Sequence, residues 1–398
     1  MAELSRTRWG QVALLQLVGI ACAMQVGKVP PAIGALRQSL GMSLVEVAWV
    51  LALLSAVAAL GGSLAGSLAA RWGAGRVVLG SLLLMAAANA LGALSPSPAP
   101  LLASRTVEGA GFLFAVVAVP GLLAANSAAA DRPLVFGLWG AYMGLGMAAA
   151  MFAAPALLAW GGWRGLWGAD AALLALLALA LGVARPQAPP RSAQGQPLSA
   201  LVRGLAVVLR RREVQLLGLV FLCHAYQYMA VFGFLPTVLH EAGMRGETAA
   251  ALTATAVLFN ALGNTLTGWL FKRGARAGTL LMAAALTIGA MELALYAGGL
   301  SAPARVGCAL VFSLVAGIPP ATVFVRLQAA ARQQSGAEPA IAMGFVVQCS
   351  HIGQMFSPVV VAALASALGG WQWSPAALLP MAAVVFWCGW RLQRGDRA

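Results

Sequence analysis

Arg105 and Glu108 lie in Leu101 to Asn126, LLASRTVEGAGFLFAVVAVPGLLAAN, an otherwise apolar run of membrane-spanning length. A charged side chain at the centre of a bilayer costs between ~3 and ~15 kcal/mol, so these two must face water, protein or each other. At i and i+3 they share one helical face. Two uses fit that spacing: an internal strut that makes the span tolerable, or a substrate or proton site. Lys28, in QVGKVPPAIG, adds a second cation at similar depth, since at ~1.5 Å per residue all three lie roughly 8 to 12 Å from the same side. The trio is net positive with Glu108 ionised and more so with it protonated. Such a site favours an anion and links it to a proton through the carboxyl. Snorkelling to the interface is the competing use for Lys28.

Further polar groups stand inside apolar runs. His224, Tyr226, Gln227 and Tyr228 fall near the middle of the seventh run, and Gln348, Ser350, His351 and Gln354 lie in the eleventh. Tyr226, Gln227 and His351 are hydrogen-bonding groups suited to orienting a ligand, or to contacts between helices. Asn260, Asn264 and Tyr142 are expected to be packing contacts, Glu292 to face protein on a scaffold helix with a role in coupling as its competing use, and Asp170, near the outer end of its run, to be solvated. The five cysteines all sit in apolar runs without metal-like spacing and are expected to be free thiols. No phosphate-cradling glycine loop, paired-His metal motif or nucleophile with its base is present. Neither an enzyme nor a cofactor is expected.

These residues must be held by membrane helices. With 61% hydrophobic and 9% charged residues in 398, and a mean hydropathy of +0.85, the chain is far from the ~25% charged composition of soluble proteins. The net charge of +14 comes from single basic residues scattered between apolar runs, which argues against nucleic acid as a partner. Runs of spanning length fall at about 10–34, 44–70, 76–96, 100–126, 134–159 and 166–184, then at 214–239, 249–271, 278–299, 303–325, 339–367 and 374–391. The first is too long for a cleaved signal peptide and is expected to be retained. The sequence therefore predicts an all-α polytopic protein of twelve helices: a six-helix bundle over 1–184, a linker over 185–213 and a second bundle over 214–398. The linker opens Pro- and Ser-rich and closes with the basic amphipathic stretch LSALVRGLAVVLRRRE, expected to lie on the membrane surface.

Positive charge sets the orientation. With the N-terminus cytoplasmic, nineteen Lys and Arg residues fall on the cytoplasmic side and four, Arg37, Arg164, Arg245 and Arg305, on the other. Both termini are then cytoplasmic.

The two bundles repeat one another. Gly41-Met42 precedes Gly66 by 25 residues, Gly243-Met244 precedes Gly268 by the same distance, and an Arg follows each of those glycines by five, at Arg71 and Arg273. Gly161-Gly162-Trp163 and Gly369-Gly370-Trp371 close the fifth and eleventh runs. Equivalent landmarks stand 202 to 208 residues apart, and parallel repeats of this kind are typical of secondary transporters.

Over its whole length the sequence resembles the major facilitator superfamily. The family's loop between helices 2 and 3 is matched by Gly66, Arg71, Gly73 and Arg76, with Ala70 where the family has an acidic residue; its helix-4 pattern is matched by Arg105 and Gly109, with Glu108 in place of a Gln. The glycines Gly137, Gly140, Gly144 and Gly146, with Pro155, fit its fifth-helix ladder loosely. Within the family, RTVEGAGFLFAVVAVPGLL, KVPPAIGALRQSLGMS and GLWGAYMGLGMA resemble the subgroup that includes cyanate and nitroimidazole transporters. The resemblance implies a secondary transporter of a bacterial inner membrane, monomeric and working by alternating access, with helices 1, 4, 7 and 10 lining its cavity. The expected function is proton-linked transport of a small organic or inorganic anion: Lys28, Arg105, Tyr226, Gln227 and His351 would bind substrate, Glu108 would carry the proton, and Gly66, Arg71, Gly73, Arg76, Gly268 and Arg273 would form the conformational motifs. A proton-coupled exporter of drugs or metabolites, and a non-transporting scaffold or sensor, are the competing readings.

Overall fold

Every regular element is helical among the described residues, which in this computed structural model are 6–188, 206, 210–296, 299–331 and 338–395. In chain order the helices are α1 (Trp9–Gly27), α2 (Val29–Leu40), α3 (Leu44–Trp72), α4 (Ala74–Ala93), α5 (Pro98–Ala125), α6 (Arg132–Gly140) and α7 (Tyr142–Ala184). The second series is α8 (Arg212–Glu241), α9 (Gly246–Lys272), α10 (Ala277–Tyr296), α11 (Ala302–Val315), α12 (Ile318–Ala331), α13 (Glu338–Leu368) and α14 (Pro375–Gly395). The surface-helix expectation falls almost wholly on residues outside the described set.

Among the described residues, eleven segments are long and apolar enough to cross a bilayer. One of them, α7, has 43 residues, a length of about 65 Å at ~1.5 Å per residue against a hydrocarbon core of about 30 Å. Its backbone leaves the helical region at Gly161 and at Gly162, where φ is +60°, so α7 is two helices joined at a glycine kink. The spans therefore number twelve. Two others are interrupted by prolines. Pro30 and Pro31 follow the break between α1 and α2 at Lys28, and Pro319 and Pro320 follow the one between α11 and α12. A proline lacks the N–H that would bond the carbonyl four residues back, so each Pro pair leaves carbonyls of the preceding turn without their usual helical donor.

Two compact units result, one of Met1–Met42 with Leu60–Gln196, the other of Ser43–Ala59 with Pro197–Ala398. Several equivalent pairs of helices meet in both: α1 with α7 and α8 with α13, α4 with α5 and α10 with α11, α4 with α7 and α10 with α14. Gly41 and Gly243 close the first and seventh spans at φ of +65° and +91°, a region that favours glycine. Ser97 and Ser301, both extended, precede α5 and α11, each of which has a proline in its first two positions.

Close backbone approach occurs in both units at equivalent pairs of spans. A Cβ on Gly146 of α7 would lie 2.2 Å from the Ile20 carbonyl oxygen and 2.5 Å from Ala23 Cβ of α1. In the second unit a Cβ on Gly353 of α13 would lie 2.2 Å from the Leu222 carbonyl oxygen of α8. Small residues permit this proximity, and dispersion over the contact replaces the hydrophobic drive that lipid does not supply. The glycine ladder expected on the fifth span is thus a packing device at Gly146, whereas added Cβ atoms at Gly137 and Gly140 would meet nothing within 4 Å. Gly146→Leu should force α1 and α7 apart and lower stability by about 1–3 kcal/mol or more, read as an earlier thermal unfolding midpoint in detergent. Gly137→Ala should leave that midpoint unchanged or slightly higher.

Candidate functional site

Lys28 stands between α1 and α2, and side chains of α4, α5 and α7 reach it. Its ammonium donates to Gln25 Oε1 at 2.7 Å, to Glu108 Oε2 at 3.1 Å and, by a short contact, to Asn89 Oδ1. An ammonium has three N–H groups, so these acceptors exhaust it. Asp170 Oδ2 stands 3.5 Å away as a second counter-ion, and the Trp167 ring is 4.6 Å from Nζ, within cation–π range.

Around Lys28 a closed network forms. Arg105 Nη1 donates to the same Glu108 Oε2, and Nη2 donates to the Gln25 carbonyl oxygen at 3.0 Å, close to where the proline pair interrupts the first span. Asn89 Nδ2 donates to Gln25 Oε1 at 3.0 Å and to the Met85 carbonyl at 2.8 Å. Gln25, Lys28, Asn89, Arg105 and Glu108 have no solvent exposure, and Asp170 has 2%. Three polar atoms inside this layer lack hydrogen-bond partners: Glu108 Oε1, Asp170 Oδ2 and the Trp167 indole nitrogen Nε1.

The trio expected from sequence, Lys28, Arg105 and Glu108, is brought together. Asp170 corrects the expectation drawn for it. It is buried rather than solvated, because the helix that carries it begins right after the Gly162 kink and puts it about two turns inside the span. With Asp170 included, two cations face two carboxylates and the network is neutral when all four are ionised, not net positive. Gln25 and Asn89 are further members that their uncharged side chains hid.

Tyr226, Gln227 and His351 belong to the second unit, all buried. Gln227 Nε2 donates to both oxygens of Glu292, each at 3.0 Å. Tyr226 lies where α8 meets α13: its carbonyl accepts from Ser357 Oγ at 2.6 Å, and a Cβ on Gly353 would come within 3.0 Å of its nitrogen. His224 is flanked by Phe221 and Tyr228, with ring centroids 6.2 and 5.8 Å away.

The motif residues sit at the short connection between α3 and α4 and at the end of α9. Gly73 is the single residue between α3 and α4, with φ of +90°, and Gly274 takes φ of +85° after Arg273. Arg71 and Arg76 flank Gly73 and are exposed. Arg273 caps α9 and lays its guanidinium 4.0 Å from the Trp269 ring. Gly66 lies within α3 and Gly268 within α9.

Comparison with known proteins places this arrangement. The family model of the Major Facilitator Superfamily matches residues 15–338. No curated protein matches the sequence. Among solved structures, a bacterial homologue of the human lysosomal transporter Spinster superposes with a TM-score of 0.79 at 16% identity, over 98% of each chain. The nucleoside transporter NupG superposes with a TM-score of 0.77 at 15% identity, over 96% of this chain and 99% of that one. At such identities the likeness is one of fold, while the family match covers most of the sequence. Twelve apolar spans in this fold, matched along more than three hundred residues by that model, make the chain a member of the Major Facilitator Superfamily, a multi-pass membrane transporter rather than an enzyme.

Proposed function

We propose that this transporter moves a small organic or inorganic anion together with a proton, by alternating access, as a monomer in a bacterial inner membrane with both termini cytoplasmic. Lys28 and Arg105 are assigned as the anion-binding cations and Glu108 as the proton carrier. Tyr226, Gln227 and His351 are the neutral polar groups assigned to substrate from the second unit, and Gly66, Arg71, Gly73, Arg76, Gly268 and Arg273 the residues of the conformational motifs.

The observation that carries this reading is the state of the Glu108 carboxyl. Its Oε2 accepts from both cations while its Oε1 is buried without a partner. A proton on Oε1 would remove one of two negative charges from a network that is otherwise neutral, leaving it at +1. In a low-dielectric interior an unbalanced charge is expensive, so the protonated network gains by admitting an anion and the deprotonated one loses by it. Proton and anion then enter and leave together. The unpartnered Trp167 indole N–H offers a further donor to such an anion.

One structural neighbour is a nucleoside transporter by name and the other's name gives no cargo, so several cargo classes are to be told apart. Substrate-induced proton movement in reconstituted vesicles containing a pH dye distinguishes them, over a panel of small carboxylates, cyanate-like anions, nucleosides and lipophilic cations. Signals with anions that vanish in Glu108→Gln, with anion binding still measurable, are the expected result. An unchanged pH dependence in that variant removes Glu108 from the mechanism; a response to lipophilic cations alone makes the protein a drug exporter. Alternating accessibility of a Cys placed at Arg105 is expected for a transporter and is not required of a scaffold.

Charge balance in the network has its own test. Lys28→Met removes the cation shared by Glu108 and Asp170 and should destabilise the protein by roughly 3–5 kcal/mol, the usual cost of orphaning a buried ionic partner. Combining it with Asp170→Leu, which removes one of the stranded carboxylates, should restore part of the loss in a detergent unfolding assay.

A further inference from the structure

Gln25 and Gln227 stand 202 residues apart, as do the turn glycines Gly41 and Gly243. Asn89 and Glu292 stand 203 apart, between that spacing and the 204 that separates the helix-preceding serines Ser97 and Ser301. In the first unit Asn89 donates to Gln25 at 3.0 Å; in the second Gln227 donates to Glu292 at 3.0 Å. One interhelical amide pair has thus been kept in both repeats, with a carboxyl replacing one of its amides in the second.

What surrounds the two pairs differs. The first unit's ionic partners Lys28, Arg105, Glu108 and Asp170 correspond, at the local spacings of 202, 204 and 208, to Ala230, Ala309, Phe312 and Leu378. All four replacements are buried and apolar. Glu292 itself has no solvent exposure, and its hydrogen bonds all come from a neutral amide. Among the described residues no cation lies within ion-pair distance of it. From α8 it faces Gln227, and His224 lies one turn before that residue, between two aromatic rings. Its own helix brings Tyr296, whose hydroxyl donates to the Ala230 carbonyl at 3.4 Å. Of the other helices packed on α10, α11 carries Arg305, bonded to the carbonyls of Leu295 and Leu300. From α12 comes Arg326, bonded to Glu213 at 2.7 Å. Cys388, buried, with Arg391 and Arg394 near its C-terminal end, completes the set from α14.

We propose that Glu292 is a second proton-binding site, confined to the C-terminal repeat. It holds a proton while buried against Gln227, and exchanges that proton with water when the contact between α8 and α10 opens. The reason is elementary. A carboxylate in this position has no counter-charge and a single neutral side chain to replace its hydration, which is the costly arrangement for an ion in a membrane interior. The neutral acid has no such cost, and its O–H can be satisfied locally. Opening the pair to water reverses the preference, so a movement of α8 against α10 becomes a proton uptake or release. This site does not depend on the role assigned to Glu108.

Infrared difference spectroscopy of the purified full-length protein, between acidic and alkaline buffers, reads protonated carboxyls directly through their C=O stretch. A buried-acid band that is lost at high pH is expected in the unaltered protein and in Glu108→Gln, and should be missing from Glu292→Gln. Gln227→Leu removes the neutral donor and should change the proton affinity of the group behind that band by about tenfold, moving the pH at which it disappears. A band that survives in Glu292→Gln, or a titration indifferent to Gln227→Leu, overturns the proposal. Loss of the band in Glu108→Gln alone would do so too, and would leave Glu108 as the proton carrier. Conversely, pH-dependent transport that persists in Glu108→Gln while the Glu292 band is intact would remove the Glu108 reading and keep this one.

Discussion

Charge inside a hydrocarbon slab is tolerable only where its opposite is already in place. The first unit of this transporter is arranged around that constraint. Lys28 can be buried because α1 breaks at its position and because α4, α5 and α7 each bring it an acceptor or a counter-ion. Arg105 can be buried because Glu108, one turn on, shares its charge with both cations. Remove Lys28 or Asp170 from this set and an unbalanced ion is left in a low-dielectric medium, a situation worth several kcal/mol. The network therefore acts as a clasp on four spans, and the site proposed for it would have the same origin. A group whose proton alters the balance of the clasp alters the cohesion of the helices that it holds.

Comparison of the repeats shows one helical scaffold with two different sets of buried polar groups. Backbone contacts are conserved in kind: glycine brings α7 onto α1 and, in the second unit, α13 onto α8. An amide on the first helix of each unit reaches the third span. Helix packing in lipid depends on small residues and on such polar contacts, so these are the features that a duplicated fold must keep. The ionic groups are free to diverge. In the first unit they multiply to a balanced set of four, and in the second they reduce to Glu292 among apolar side chains.

Much of the fold followed from residue order. Apolar run lengths gave the twelve spans, and the glycines at 41, 243, 162 and 369 marked real turns because each takes a positive φ that other residues avoid. The break inside the first span was visible as Pro30-Pro31, although a hydropathy run alone passes straight through it. Lys28, Arg105 and Glu108 could be grouped from their depth, since distance from the helix end translates directly into height in the membrane. Asp170 was lost to the same arithmetic. A start at residue 166 put it at the margin, whereas the kink at Gly161 and Gly162 starts the helix at about 163 and sinks it by a turn. Gln25 and Asn89 gave no signal in composition. Their trace was the repeat spacing, which pairs Gln25 with Gln227 and Asn89 with Glu292.

That pairing bears on how the two halves could share a single cycle. If transport needed only one proton site, the second repeat could have kept an asparagine where the first has one, and the amide pair would hold α8 to α10 at no electrostatic cost. A carboxyl at that position has a cost whenever it is ionised, which the packing alone does not require. Glu292 is fully buried and without a counter-charge where the first repeat has a neutral amide, and the donor and acceptor of the pair are exchanged between the repeats. In the first unit a proton would change the charge of a network built to be neutral; in the second a proton would make neutral a group that is otherwise alone. As proposed, the two carboxyls would respond to the same proton in opposite electrostatic senses.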